Sequence, residues 1–74
     1  MELRHGAWYR LSDGTRVQAQ QTGPGPRFYL RDERGTPLYF VSPLEVRRYV
    51  YDKQIDRFYP VPSALRPEDL QAEQ

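Results

Sequence analysis

Seventy-four residues make one small domain, near the lower limit for a chain that folds without disulfides or metals. With no cysteine and a single histidine, His5, neither a disulfide framework nor a zinc site of cysteine and histidine can hold it together. Eleven basic against ten acidic side chains leave a net charge of +1, too little to bring the chain to duplex DNA by field alone.

No apolar run approaches a membrane span, and no signal-peptide core stands at the start, so the expected location is cytoplasmic. Ten of the eleven basic residues are arginine, which stacks on rings and grips carboxylates or phosphates in a fork. Codon bias in a GC-rich genome explains the same excess, together with the seven prolines and five glycines.

Met1 to Gly6 reads as a loose lead-in, with His5 an exposed loop residue. From Ala7 to Gln21, Tyr9 and Leu11 alternate with Trp8 and Arg10, then Thr15, Val17 and Ala19 alternate with Arg16, Gln18 and Gln20. That period of two marks half-buried strands. A two-residue Asp13-Gly14 turn would pair Leu11 with Arg16 and mix the faces. A three-residue Ser12-Asp13-Gly14 loop pairs Leu11 with Thr15 and Tyr9 with Val17, keeping one side apolar. Thr22 to Pro26, with its Gly-Pro-Gly-Pro, is a short connection, so the first two hairpins should lie side by side.

Arg27 to Val41 repeats the design around a Glu33-Arg34-Gly35 loop. Its expected register sets Leu30 opposite Leu38, Phe28 opposite Phe40, and Tyr29 opposite Tyr39 on the other face beside Arg31. Ser42-Pro43-Leu44-Glu45 then offers a cap, a first-turn proline and a capping-box glutamate. These signals predict one short helical turn near residues 43–47, with Leu44 directed into the core and Val46 joining it. In Arg48 to Val61 a four-residue loop from Lys53 to Asp56 pairs Asp52 with Arg57 and Tyr51 with Phe58. A three-residue loop would set two aspartates face to face. Asp13, Asp32 and Asp52 recur at spacings of 19 and 20 residues, suggesting a repeated hairpin unit.

The expected fold is therefore mainly all-β, an antiparallel meander of three β-hairpins with about six strands. It should form a small SH3-like barrel or a strongly curved sheet over residues 1–62. Residues 63–74 read as a tail, either frayed or holding a short helix after Pro67 with Glu68 and Asp69 in its first turn.

The run Gly6-Ala7-Trp8-Tyr9-Arg10-Leu11-Ser12-Asp13-Gly14-Thr15 resembles the hairpin of the choline-binding repeat family, in which a Trp-Tyr strand precedes Asp-Gly. That family builds ligand cages from aromatics of successive repeats. Arg27 and Arg47 occupy the tryptophan column of the later units here, so the ligand function does not carry over.

Catalysis has little to stand on. Ser12 and Ser63 have no evident base, and Asp32-Glu33 and Glu68-Asp69 suit a turn and a helix start. Two prolines remove amide donors from Gly23-Pro24-Gly25-Pro26, which spoils it as a phosphate cradle. The expectation is a non-enzyme with no catalytic residues, no cofactor, no metal and no small-molecule substrate.

The face opposite the apolar one gathers Trp8, Arg10, Arg16, Arg27, Tyr29, Arg31 and Tyr39. Ordinary strand packing places tyrosine and arginine on such faces without any partner. Aromatics mixed with arginine are also enriched at protein interfaces. The functional expectation is a small β-rich protein-binding module, with self-association into a homodimer included. The alternative is single-stranded RNA or DNA on the same face, bases on rings and phosphates on arginine.

Overall fold

A computed structural model describes residues 3–66 and 69–72. Among them, β1 (Trp8–Arg10), β2 (Arg16–Gln21), β3 (Phe28–Arg31), β4 (Pro37–Val41), β5 (Val46–Asp52), β6 (Arg57–Pro62) and β7 (Gln71–Ala72) form one sheet. Its order is β6-β5-β4-β3-β2-β1-β7, with every neighbouring pair antiparallel. The all-β meander is as expected. It has a seventh strand, and its linear order runs between two edges, β6 and β7.

The first and third hairpins adopt the expected registers. Leu11 N–H donates to the Thr15 carbonyl at 2.9 Å, and Tyr9 faces Val17. Gly14 holds φ at 90°, a region where any Cβ is strained, which is why a glycine closes this loop. In the third, Asp52 faces Arg57 and Tyr51 faces Phe58 across the Lys53–Asp56 loop. That loop has no glycine. Asp56 takes the left-handed position at φ 50°, which aspartate tolerates better than most residues.

The second hairpin corrects its expected register. Its loop closes as read, with Asp32 N–H on the Thr36 carbonyl at 3.0 Å and Arg31 facing Pro37. The ladder then slips by one residue: Leu30 faces Tyr39, Tyr29 faces Phe40 and Phe28 faces Val41. Leu38 is the additional residue of a β-bulge. Proline cannot donate to the ladder and is found in sheets mainly at edges, strand starts and bulges. Pro37 stands at the start of β4, next to the irregularity that turns Tyr39 inward and Phe40 outward.

The expected helical turn near residues 43–47 is also corrected. Val41 faces Val46, and Ser42 N–H donates to the Glu45 carbonyl at 3.0 Å, so Pro43-Leu44 is a tight hairpin turn. The capping interaction still forms in outline, because Glu45 N–H reaches Ser42 Oγ at 3.3 Å. That bond is local and serves a chain reversal as well as a helix start. Val46 joins the core at 6% exposure, whereas Leu44 is 95% exposed. Leu44→Ser should accordingly change unfolding free energy by less than about 0.5 kcal/mol in a denaturant titration; a core leucine would cost several times more.

The core lies on one face of the sheet. Tyr9, Val17, Ala19, Phe28, Leu30 and Val41 supply it from β1 to β4. Both chain ends complete it. Leu3 is buried, Arg4 N–H donates to the Tyr9 hydroxyl at 2.9 Å, and Gly6 N–H donates to the Ala19 carbonyl at 2.7 Å. The lead-in is thus tied down, and exposed His5 accepts the Gln21 N–H at 2.9 Å. At the other end Leu70 is 1% exposed, Leu65 packs on the cluster, and β7 pairs with β1. The start of the helix expected after Pro67, Glu68 included, lies outside the described residues.

Candidate functional site

Register alone decides which side chains share the outer face. Trp8 faces Gln18, which faces Arg31; Gln20 faces Tyr29, which faces Phe40, which faces Arg47. Residues two apart on a strand share a side, so Arg10, Arg16, Tyr49 and Tyr51 belong to the same face.

Of the expected site residues, Trp8, Arg10, Arg16, Tyr29 and Arg31 come together on this face. Arg27 is exposed in the loop before β3. Tyr39 is not on the face: the bulge places it beside Leu30, half-buried against the core. Phe40 takes its place. The exchange begins beside Pro37, two residues beyond the loop glycine. Tyr49, Tyr51 and Phe58 carry the same alternation in the third hairpin and extend the face.

The rings touch. Tyr29 meets Phe40 edge-on with centroids 5.6 Å apart, and meets Tyr49 at 5.9 Å. Farther out Tyr51 and Phe58 lie 5.2 Å apart. Such pairs add about 0.5–1.5 kcal/mol beyond the area they cover. Arginines lie across the rings, the Arg16 guanidinium 4.7 Å from the Trp8 centroid and that of Arg31 5.4 Å from Tyr29. Arg16 also pairs with Glu33 at 2.7 Å, and Arg31 donates to the Gly35 carbonyl at 2.9 Å. Arg47 pairs with Glu45 at 2.7 Å. Three arginines of the face are thus engaged with local acceptors.

No family model, no curated protein and no solved structure matches the chain. The likeness to the choline-binding hairpin rests on Gly6 to Thr15 alone.

Tyr49 shows what this packing does to chemistry. Burial first, and then the hydrogen bond of its hydroxyl with Tyr29, push its pKa up to about 12 from an ordinary 10.0. The folded state holds this proton more tightly than the unfolded chain. The resulting stabilisation is fully present below the ordinary value and is lost as pH rises from there to about 12. In a spectrophotometric titration Tyr49→Phe should remove one phenol from the late phase near that value. An unchanged late phase in the variant would contradict the assignment. The Tyr51 hydroxyl donates to the Asp56 carboxylate, which raises its pKa as well.

Among the described residues, no group of three or more histidine, aspartate or glutamate side chains converges as a metal site. No helix there is long and apolar enough to cross a membrane.

Proposed function

We propose that this chain is a small non-catalytic, cytoplasmic β module that binds another protein through its outer aromatic and arginine face. The observation that carries the reading is the cluster in which the Tyr29 ring touches both Phe40 and Tyr49, with Trp8, Arg31 and Arg47 on the same face. Among the described residues all strands belong to one sheet, and Tyr29, Phe40 and Tyr49 are half-buried on its outer face. Aromatic and arginine anchors are the residue types that dominate binding energy in protein interfaces. Rings already fixed by their neighbours lose little freedom on binding, so more of the contact energy becomes affinity.

Single-stranded nucleic acid fits less well. A backbone track needs cations turned outward at intervals, whereas Arg16, Arg31 and Arg47 are turned onto rings, carboxylates and a carbonyl. The test is affinity of the partner for the wild-type chain and for Tyr29→Ala. The variant should bind at least about tenfold more weakly, the scale of a hot spot. Equal binding would remove the proposal. If instead an oligonucleotide binds with a steep salt dependence that Arg16→Gln with Arg31→Gln abolishes, the nucleic-acid reading takes its place.

A further inference from the structure

The third hairpin extends past the rest of the sheet. Among the described residues, β4 pairs with β5 only at Arg48, Arg47 and Val46, so from Tyr49 onward β5 pairs with β6 alone. The part from Tyr49 to Pro60 is therefore a two-stranded arm, and such ribbons are marginal in water unless something packs on them. This arm carries rings on both sides. Tyr51 and Phe58 stand on the outer face at 45% and 43% exposure, Tyr59 on the other at 41%, and Ile55 at the tip at 58%.

The whole chain shows the same excess. Its accessible surface is 5504 Å². A monomeric protein of 8.8 kDa exposes about 4,800 Å². The surplus of roughly 700 Å² belongs to the chain as a whole.

Two further features say what covers the arm. Its tip holds Asp52, Lys53, Asp56 and Arg57, two acids and two bases. With acids and bases in equal number, such a patch can meet a second copy of itself about a twofold axis, bases against acids. The free edge of the arm is β6, which contains Pro60 and Pro62. Ser63 N–H donates to the Val46 carbonyl at 3.2 Å, which fixes the ladder so that residues 62 and 60 direct their nitrogens outward. Both prolines therefore offer no outward donor, which disfavours strand-to-strand growth from this edge. With that edge disfavoured, the ring-bearing faces of the arm are the surface we assign to association.

We propose that the occupant is a second copy of this chain, the two β5–β6 arms packing Tyr51 and Phe58 against each other about a twofold axis. This rests on the protein-binding reading above and names one partner for that face. Tyr51 is held ready for it, its hydroxyl fixed to Asp56 and its ring against Phe58.

The experiment is sedimentation equilibrium on the full chain across a concentration series up to about 1 mM, the weak end of measurable pairing. The expected mass rises from 8.8 kDa to twice that value and stops there. Tyr51→Ser with Phe58→Ser should raise the dimer dissociation constant at least tenfold. Because that pair also removes the ring contact within the arm, Lys53→Glu provides a second test that leaves every ring and the Asp52–Arg57 pair in place and should weaken pairing severalfold. Leu44→Ser, at an apolar residue more exposed than either ring but off the arm, should leave the constant unchanged. A mass fixed at one chain, a mass climbing past two, or a constant unmoved by both arm variants would overturn the dimer. So would an oligonucleotide that binds the single chain and is lost with the Tyr51 and Phe58 changes. A fixed monomer leaves the wider reading to the Tyr29→Ala test, so the two fail separately.

Discussion

Leu70→Ala is expected to lower the unfolding free energy by about 2–5 kcal/mol, the range for a buried leucine truncated to alanine. The side chain is 1% exposed and is one of the three largest fully buried ones, although it lies four residues from the chain end. A chain of this length has about 4–11 kcal/mol of stability in total. One substitution near the C-terminus should therefore take away a large part of it, visible as a lower denaturant midpoint at an unchanged slope. A chain ending at Pro62 would lose Leu65, Leu70 and β7 together and should not hold a cooperative fold. A loss under about 0.5 kcal/mol for Leu70→Ala would mean that the segment only rests on the surface.

That outcome bears on what the sequence makes legible. Tyr9, Val17, Ala19, Phe28 and Leu30 announce themselves by alternation, and the structure buries all five. Loops also read well where two constraints coincide. Leu11 with Thr15 and Asp52 with Arg57 were the pairings that kept faces unmixed or charges opposed, and both form. Leu3 and Leu70 gave no such signal. Each is an isolated apolar residue in a polar stretch, and only the tertiary packing shows that it closes the core. Ser42-Pro43-Leu44-Glu45 misled for a different reason. Its hydroxyl-to-amide bond is the same at a helix start and in a hairpin turn, and the difference lies in strands on either side.

The site was legible in kind and misplaced in part. Trp8, Tyr29 and Arg31 sit where strand alternation put them. Tyr39 does not, because alternation is reliable only along an unbroken ladder, and one bulged residue inverts everything beyond it. The outer rings of the third hairpin went unassigned as a site, although Tyr49, Tyr51 and Phe58 follow the same rule. Their meaning depends on β5 outrunning β4, which is a matter of relative strand length that no local pattern records.

The bulge itself is open to measurement through two substitutions of similar chemistry. Leu30→Ala should cost about 2–5 kcal/mol, since the side chain is fully buried between Ala19 and Tyr39 on the neighbouring strands. Phe40→Ala separates the two registers. With Phe40 opposite Phe28 it would be a core residue, and its removal would cost about 3–5 kcal/mol. On the outer face it is half-buried and its main contact is the edge of Tyr29, so the expected loss is only about 1 kcal/mol. The same change should weaken partner binding, because it removes the ring that Tyr29 packs against. A Phe40→Ala chain as unstable as Leu30→Ala would place Phe40 inside and remove it from the binding face. A nearly native stability with impaired binding is the combination that only the bulged ladder produces.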